Sequence, residues 1–394
     1  MKLLEYQAKQ RFASVGIAVP NGRLARTPDE AEAAARELGT IAIKAQVPIG
    51  GRGKAGGIAV VTTPEDARRE SGRILGMEIR GYPVGSVWCE RGLDIAHELY
   101  LGITLDRDRR RLVVIFSAAG GMEIEEVAAE NPERIAKLWP DPFSGPMAFE
   151  LRQVCFAALK QTELQSLGAT LVNKVAAIAA RLYGLATSLD AVTCEINPLA
   201  VTHDADVVAA DGKLEIDDNA EYRHRDVAQE LARDEPTDGA KTGDDPYEVE
   251  ARRRGLTYVH LDGSVGVIGN GAGLTMNTLD LVKQQGGNPA DFLDIGGGAS
   301  ADKVRNALEM VLLDPAVRGV FINVFGGITR GDEVARGVIA ARDELHITKP
   351  LVVRMTGTKE EEGRRLLEEA GIVPAVSATE AAQKIVALAQ DGDA

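Results

Sequence analysis

The strongest constraint on the fold is a pattern that repeats through residues 255–394, in which a short apolar run leads into a glycine-rich turn and then a helix-like segment. Five strand–helix units follow one another, beginning with SVGVIGNGAGLTMNTLDLVKQQGG and DFLDIGGGASADKVRNALEMVL, and the first three have glycine-rich turns. Short apolar strands that alternate with helices are typical of a parallel sheet covered on both faces. We therefore predict a doubly wound α/β domain of flavodoxin type over 255–394. Thr358 and Glu361 have the spacing of a capping box at its fourth helix.

The preceding part of the chain follows a different pattern, in which helices alternate with strands that pair through turns. The run TIAIKAQV leads into a glycine-rich segment and GGIAVVTT returns from it, which predicts an antiparallel hairpin. Thr27 and Glu30 have capping-box spacing at the start of one helix. We predict an α+β domain over residues 1–225, followed by a charge-rich linker over residues 226–254.

Composition and charge exclude several classes of protein. A formal net charge of -14 and an aromatic content of 4% argue against nucleic acid as a partner, because phosphate backbones require a positive field. No run of 18 apolar residues is present, so we expect no membrane span. The N-terminus lacks the apolar core of a signal peptide, and three cysteines form no metal-binding or disulfide pattern. A reducing, cytoplasmic setting is expected.

A basic, glycine-rich stretch in this acidic chain indicates an anion-binding loop. The sequence KAQVPIGGRGKAGG, from Lys44 to Gly57, combines five glycines with three basic residues. Glycine allows backbone N–H groups to approach an anion closely, and lysine supplies a point charge for phosphate. The stretch does not fit the Walker A pattern. A mobile surface hairpin without a ligand is the alternative, and the stretch alone does not exclude it.

Two glutamates flank the segment RGLDIAH within CERGLDIAHELYLG. Glu90 and Glu98 are placed to accept hydrogen bonds from an adenine amino group or a ribose hydroxyl at the end of a strand. Because glutamate is usually exposed, the two residues by themselves favour the alternative of solvated surface charges.

The run TCEINPLAVTHDADVVAADGKL predicts a β-hairpin with a turn centred on Asp204. In that register Asn197 lies opposite Asp211, and Glu195 lies opposite Lys213. A carboxylate beside an amide oxygen suits Mg²⁺, which prefers hard oxygen ligands and retains waters or substrate phosphates. The alternative is that Asn-Pro and Asp-Gly simply mark turns.

Glycine-rich turns end several strands of the predicted parallel sheet, in GNGAGLTM, DIGGGAS and FGGIT. Helix N-termini that follow such turns attract anions, and ligands of open α/β sheets bind at the carboxyl ends of the strands. GNGAG does not fit the dinucleotide fingerprint. None of the five histidines follows a glycine-rich strand end, and no Ser-His-Asp or Cys-His arrangement is visible.

Taken in order, these motifs resemble the β subunits of succinyl-CoA synthetases over essentially the whole chain. The matching segments are LLEYQAKQRFASVGIAVP, IKAQVPIGGRGKAGGI, EINPL, IGNGAGLTMNTLD, FLDIGGGA and NVFGGITR. The resemblance implies an N-terminal ATP-grasp domain and a C-terminal CoA-ligase domain. It also implies a reversible reaction in which succinate, CoA and ATP or GTP give succinyl-CoA, a nucleoside diphosphate and phosphate.

The resemblance implies roles for individual residues. It assigns nucleotide contacts to Lys44, Gly51, Arg52, Gly53, Glu90, Leu93 and Glu98. It assigns Mg²⁺ to Asn197 and Asp211, and the carboxylate substrate to Asn270, Gly327, Ile328 and Thr329. Glu195, on the same hairpin face as Asn197, is predicted to orient the histidine that carries the phosphoryl group.

That histidine and the CoA site belong to a separate α subunit in the family. The resemblance thus implies an αβ or α2β2 assembly, and it leaves the choice of ATP or GTP open. One alternative is the β subunit of a related acid–CoA ligase such as malate–CoA ligase, although Thr329 favours succinate. The other is a nucleotide-binding regulatory module without turnover, which an intact set of Lys44, Asn197 and Asp211 disfavours.

Overall fold

The computed structural model describes residues 1–122, 124–160, 162, 168–234, 245–298, 300–327, 329–372 and 374–390. The chain divides into two compact units, Met1–Gly243 and Asp244–Ala394. No helix in the described ranges is both long enough and apolar enough to cross a membrane.

The first unit combines helices with antiparallel strands. Its helices are α1 (Glu5–Ser14), α2 (Pro28–Leu38), α3 (Pro64–Leu75), α4 (Ile124–Glu130), α5 (Ala148–Leu159), α6 (Gly168–Ser188) and α7 (Arg225–Asp234). Its strands are β1 (Gly22–Ala25), β2 (Ile41–Ala45), β3 (Ile58–Val61), β4 (Glu78–Ile79), β5 (Tyr82–Pro83), β6 (Val87–Arg91), β7 (Ile95–Asp106), β8 (Arg111–Ser117), β9 (Ile135–Leu138), β10 (Ala191–Thr202), β11 (Val207–Ala209) and β12 (Lys213–Ile216). Short 3₁₀ turns cover Pro132–Arg134 and Asp218–Arg223.

Two antiparallel sheets contain ten of these strands, and β4 and β5 pair separately with each other. One has the order β1-β6-β2-β3, and the other has the order β11-β10-β7-β8-β9 with β12 also paired to β10. Helices α2 and α3 pack on the first sheet, whereas α5 and α6 pack on the second. The predicted α+β character of this part of the chain is confirmed.

The hairpin predicted around the glycine-rich stretch is confirmed. Strands β2 and β3 pair antiparallel with Lys44 opposite Ile58, and residues 46–57, here called the glycine flap, connect them. Gly51 adopts a φ of 77°, a left-handed conformation that glycine tolerates without a steric penalty. The N–H of Gly57 donates to the Arg52 carbonyl at 2.8 Å and closes the flap.

The second predicted hairpin has the predicted register. Val201 pairs with Val207 between β10 and β11, and Glu195 pairs with Lys213 between β10 and β12. Between these two blocks the Ala210 N–H donates to the Pro198 carbonyl at 3.1 Å. The same register therefore runs through the position where Asn197 faces Asp211.

The second unit is a parallel sheet covered on both faces. Its helices are α8 (Pro246–Arg253), α9 (Ala272–Gln284), α10 (Ala301–Leu312), α11 (Gly331–Glu344), α12 (Glu360–Glu369) and α13 (Ala378–Gln390). Its strands are β13 (Thr257–His260), β14 (Val265–Gly269), β15 (Asp291–Asp294), β16 (Gly319–Gly326), β17 (Leu351–Gly357) and β18 (Pro374–Ala375).

The strand order is β13-β15-β14-β16-β17-β18, and only β13 runs antiparallel to its neighbour among the described strands. The five βα units thus have the order 2-1-3-4-5, as in flavodoxin. Helices α9 and α13 contribute Val282 and Ile385 to the core on one face, and α10 to α12 contribute residues such as Leu308 to the core on the other. The predicted doubly wound fold is confirmed, with β13 as an edge strand that the repeat pattern did not predict.

Of the capping boxes predicted at α2 and α12, the structure contains the first and lacks the second. At α2 the Thr27 hydroxyl accepts from the Glu30 N–H and the Glu30 carboxylate accepts from the Thr27 N–H, so this capping box is confirmed. The box predicted for Thr358 and Glu361 is wrong. Lys359 caps α12 in a left-handed conformation, and the Glu360 carboxylate accepts from Gly357 instead.

Helices lie at both ends of the range 226–254, which the sequence predicts to be a linker. Val227 of α7 is buried in the core of the first unit, and Ala251 of α8 is buried in the core of the second. Residues 235–244 lie outside the described ranges. The domain limits 1–225 and 255–394 stay a prediction.

Candidate functional site

Lys44 lies at the centre of a buried cluster of charged side chains in the first unit. It projects from β2, and only 8% of its surface is exposed. Its ammonium group contacts Glu5 Oε1 at 3.0 Å and Glu90 Oε1 at 2.8 Å, and it donates to the Ala210 carbonyl at 2.6 Å. The predicted phosphate-binding lysine and the predicted nucleotide-binding Glu90 are therefore in direct contact.

Helix α1 supplies two members of this cluster that sequence analysis did not identify. Lys9 Nζ contacts Glu5 Oε1 at 2.7 Å and Glu90 Oε2 at 2.5 Å, and it also donates to the Ala210 carbonyl at 2.7 Å. The side chains of Glu5 and Lys9 are each about 1% exposed. The sequence signal was an acid–base pair four residues apart, but that spacing also occurs on solvent-exposed helix faces.

Arg52 of the glycine flap joins the cluster to the predicted metal site. Its Nη1 contacts Glu5 Oε2 at 2.5 Å, and its Nη2 donates to both carboxylate oxygens of Asp211 at 2.7 and 2.8 Å. The guanidinium therefore fixes the flap between α1 and the β10–β12 hairpin. Gly51 and Gly53 flank Arg52, and no side chain at either position crowds the flap.

Three carboxylates (Glu5, Glu90 and Asp211) face three cations (Lys9, Lys44 and Arg52) in the cluster. Burial by itself favours the neutral form of Glu5, but the charges of Arg52, Lys44 and Lys9 outweigh it and hold the pKa of Glu5 well below its usual value. Burial likewise opposes the charge on Lys44, whereas the facing carboxylates raise the pKa of Lys44 above its usual value. Glu5 and Lys44 are therefore charged, and the cluster contains equal numbers of carboxylates and cations.

The other predicted nucleotide residues lie on β6 and β7 and on the turn between them. Glu90 also accepts a hydrogen bond from Trp88 Nε1 at 2.8 Å. Leu93 is half-buried and Glu98 is exposed. The Glu98 carboxylate lies against Gly121, where an added Cβ would collide with it.

The predicted metal ligands are adjacent, and both already have protein partners. Asn197 Oδ1 accepts from the Gly121 N–H at 2.8 Å, and its Nδ2 donates to the Met122 carbonyl at 2.9 Å. The Asp211 carboxylate is bound by Arg52 and by the Gly212 N–H at 2.7 Å. Asn197 Oδ1 and Asp211 Oδ2 each accept one hydrogen bond and retain a further lone pair, so this pair of hard donors fits Mg²⁺, which would share Asp211 with Arg52.

No group of three or more His, Cys, Asp or Glu side chains within the described part of the chain is arranged to hold a metal ion. A magnesium ion held by Asn197 and Asp211 would need its remaining oxygen ligands from water or nucleotide phosphates, as is usual for this ion.

Glu195 lies on the same strand as Asn197 and is half-buried. Burial raises the pKa of Glu195; Lys213 and the Asn197 amide oppose this shift, and the nearby carboxylates of Glu125 and Asp211 add to it. The site thus contains a carboxylate that resists ionisation beside carboxylates that are tightly paired.

In the second unit the structure brings together Asn270 and Thr329, which the resemblance assigns to the carboxylate substrate. The Asn270 side chain accepts from the Phe325 N–H at 2.8 Å, donates to the Phe325 carbonyl at 2.9 Å and reaches the Thr329 hydroxyl at 3.3 Å. The same hydroxyl accepts from the Gly298 N–H at 2.9 Å. Gly327 is exposed beside them, and Ile328 lies outside the described residues.

These contacts lie at the carboxyl ends of β14, β15 and β16, where the strand order reverses and where ligands of such sheets bind. Sequence analysis missed Asp294, which ends β15. Its Oδ1 accepts from the N–H groups of Gly271 and Gly296 at 2.6 and 2.7 Å. Asp294 therefore fixes the turn that precedes α9. The only sign of this role in the sequence was a single aspartate shortly before three consecutive glycines, in DIGGG.

Comparison with known proteins shows the family of this chain. A family model described as an ATP-grasp domain matches residues 2–201, and a CoA-ligase model matches residues 268–388. The GDP-forming succinate–CoA ligase subunit beta of Thermus thermophilus is 50% identical over 389 residues, which cover 98% of this chain and 99% of that protein. The chain belongs to the succinate–CoA ligase β-subunit family. The resemblance seen in the sequence is thereby confirmed.

Another member of the family is similar over an equally long range. The ADP-forming succinate–CoA ligase subunit beta of Roseiflexus sp. strain RS-1 is 45% identical and covers 99% of this chain and 100% of that protein. Among solved structures, ATP citrate lyase from Methanothrix soehngenii superposes with a TM-score of 0.71 at 18% identity, over 99% of each chain. At that identity the likeness shows the shared fold, with an ATP-grasp domain followed by a CoA-ligase domain.

Proposed function

We propose that this chain is the β subunit of a succinate–CoA ligase and acts with an α subunit. The complex would interconvert succinate, CoA and ATP or GTP with succinyl-CoA, ADP or GDP, and phosphate. The observation that carries this proposal is the convergence of Lys44, Arg52 and Asp211, from three separate segments, in one buried cluster beneath the glycine flap. No observation favours a malate–CoA ligase.

The nucleotide is expected to bind between the flap and the β6–β7 turn. Lys44 and Arg52 are the phosphate-binding cations, Gly51 and Gly53 allow the flap backbone to approach the phosphates, and Glu90 binds the nucleotide. We assign Leu93 and Glu98 to the same role. A phosphate that enters this site must take hydrogen bonds from Lys44 and Arg52 that the cluster carboxylates now accept.

Asn197 and Asp211 are the residues that would hold Mg²⁺. When bound, the ion would neutralise charge on the phosphates. The contribution of the chain itself is positional, since the β10–β12 register places an amide oxygen and a carboxylate side by side. Glu195, on the same strand, is proposed to orient the histidine of the α subunit when it accepts the phosphoryl group.

The second unit is proposed to bind succinate. Asn270, Gly327 and Thr329 lie on the rim where the carboxylate would be held as succinyl phosphate forms, and we assign Ile328, which lies outside the described residues, to the same role. The α9 N-terminus follows Gly271, and its dipole favours a negative phosphoryl group there. CoA would bind the α subunit, in an αβ or α2β2 complex. The three cysteines, Cys89, Cys155 and Cys194, are buried free thiols, as is usual in a reducing environment, and we propose a cytoplasmic setting.

Calorimetry with Mg-ADP and Mg-GDP tests the nucleotide assignment. Loss of a charge-assisted hydrogen bond costs about 1.5–3 kcal/mol, so Lys44→Ala should weaken nucleotide affinity roughly tenfold or more. Lys54→Ala is the matched control, because Lys54 belongs to the same flap but is 68% exposed and forms a salt bridge with the exposed Glu126. Equal affinity in Lys44→Ala and the wild type, with both folded, would contradict the proposal.

A further inference from the structure

One carboxylate connects the two phosphate-binding cations of the proposed site. Glu5 Oε1 contacts Lys44 at 3.0 Å and Glu5 Oε2 contacts Arg52 at 2.5 Å. Lys44 comes from β2 and Arg52 from the glycine flap, so Glu5 is the shared anion between two separate segments. We propose that Glu5, supported by Lys9, is a positioning residue that holds Lys44 and Arg52 side by side for nucleotide phosphate binding. This inference rests on the proposed nucleotide site.

Helix α1 is well placed to act as a fixed platform for the two cations. Its N-terminal segment is attached to the hairpin, because the Leu3 N–H donates to the Leu214 carbonyl at 3.0 Å. It is attached to the flap as well, because the Tyr6 N–H donates to Gln46 Oε1 at 3.1 Å. A carboxylate on this helix therefore has a defined position relative to both β2 and the flap.

Lys9 fixes the position of Glu5 and balances its charge. It contacts Glu5 and Glu90 and donates to the Ala210 carbonyl, immediately before Asp211. Because Lys9 lies one helical turn after Glu5, the two residues form a rigid ion pair on one face of α1. The side chain of Lys9 is about 1% exposed, so it is less accessible to a ligand than Lys44 is, at 10%.

The physical reason for the proposal is repulsion between cations. Without an anion between them, Lys44 and Arg52 would repel each other and sample more rotamers, and a phosphate would have to bring them together again. Ordering each rotamer-rich side chain on binding opposes affinity. With Glu5 in place, the side chains of Lys44 and Arg52 are already ordered before the nucleotide binds.

The rival explanation is that Glu5 serves only to balance charge in the buried core. Neutralising one member of a buried ion cluster leaves an uncompensated charge and destabilises the fold, whatever the function of the cluster. The two explanations differ for a double variant. Glu5→Gln combined with Lys9→Gln removes one negative and one positive charge, so the cluster stays balanced while the carboxylate between Lys44 and Arg52 is lost.

The experiment compares full-length wild type, Glu5→Gln and Glu5→Gln/Lys9→Gln by thermal unfolding and by calorimetry with Mg-ADP and Mg-GDP. We expect the double variant to unfold at a temperature closer to the wild type than the single variant does, yet to bind nucleotide at least tenfold more weakly than the wild type. In the αβ complex its nucleotide KM should rise more than its kcat falls. Glu5→Asp should recover part of the lost affinity.

The matched control is Glu32→Gln. Glu32 on α2 also binds two cations, Arg36 at 2.5 Å and Arg68 at 3.0 Å, but it has no contact with the cluster. The nucleotide affinity of the Glu32→Gln variant should stay within twofold of the wild-type affinity.

The outcomes separate this inference from the proposed function. A double variant that binds nucleotide as tightly as the wild type, or more tightly, would overturn the positioning role of Glu5 and leave the proposed function intact. Tighter binding would mean that Glu5 competes with the phosphates. A wild type that binds neither nucleotide would overturn the proposed function and this inference with it.

Discussion

Glu195 illustrates how burial divides the roles of neighbouring carboxylates. Asp211 and Glu5 are each paired with Arg52, whereas the pKa of Glu195 is raised by burial and by the nearby charges of Glu125 and Asp211. Glu195 lies opposite Lys213 instead, and we propose that its carboxylate accepts a hydrogen bond from an incoming imidazole. We therefore place Glu195 in phosphoryl transfer and outside nucleotide binding.

Glu195→Gln should lower turnover of the αβ complex roughly 100-fold, the scale on which positioned proton-accepting groups act. Affinity for Mg-ADP or Mg-GDP should change less than twofold, because Lys44 and Arg52 are untouched. Steady-state assays and calorimetry measure the two quantities. Glu215→Gln on the adjacent strand β12 is the control, and it should leave both unchanged. A parallel loss of affinity and turnover in Glu195→Gln would place Glu195 in nucleotide binding instead.

At the scale of secondary structure, the carboxyl edge of the parallel sheet is held together by side chains that bind backbone groups. Asn270 ties the turn after β14 to β16 through Phe325, and Thr329 ties the turn after β16 to Gly298. The edge is therefore assembled from three turns, and each turn depends on the others for its shape.

Asn270→Ala should raise the KM for succinate at least tenfold, because it removes both a predicted ligand contact and the link between two turns. The affinity for Mg-nucleotide should not change, since the nucleotide residues belong to the other unit. Asn288→Ala is the control: Asn288 precedes β15 at the opposite edge of the sheet, and its side chain accepts from Lys283. An unaltered succinate KM in Asn270→Ala would remove Asn270 from the substrate site.

Asp291, at the start of β15, introduces a pH dependence of stability. Its Oδ1 accepts from the Val267 N–H at 2.6 Å, and its buried Oδ2 has no hydrogen-bond partner in the described structure. Complete burial raises the pKa of Asp291 well above its usual value. Its contribution to stability is present below about pH 3.9, where the unfolded chain also holds the proton, and is lost as pH rises toward the folded pKa.

Asp291→Asn cannot ionise, so it should gain stability relative to the wild type as pH rises from 4 to 8, by at most about 1.4 kcal/mol per pH unit. Urea unfolding at several pH values measures the difference. Asp262→Asn, at an exposed position in the same unit, should show no comparable trend. A constant difference between Asp291→Asn and the wild type across this range would mean that Asp291 is ionised in the fold.

At the scale of the whole molecule, the nucleotide residues belong to the first unit and the predicted succinate residues to the second. We propose that a histidine carries the phosphoryl group between the substrates, and two histidines of this chain are already paired with carboxylates. His224 binds Asp190 at 2.8 Å, and His260 binds Asp245 at 2.6 Å. We expect the carrier to be a histidine of the α subunit.

The isolated chain should bind Mg-nucleotide but show no succinyl-CoA formation, and adding the α subunit should restore turnover. With γ-labelled ATP or GTP, acid-labile label should appear on the α subunit alone. Phosphoamino-acid analysis of the separated subunits provides the measurement. Stable label on this chain, or turnover without the α subunit, would contradict the assignment of the carrier.

The sequence by itself determined the fold class, because periodicity is a local property. Five strand–helix units predict the parallel sheet, and the pairing of Glu195 with Lys213 follows from the turn alone. Only the tertiary structure revealed Glu5 and Lys9 as members of the site, since a helical acid–base pair has the same spacing whether it is exposed or buried. It also revealed that Asp294 binds the turn before α9, and that Lys359 caps α12 in place of Thr358. The role of such a side chain depends on its burial and on its contacts with residues distant in the sequence, and a local sequence pattern specifies neither.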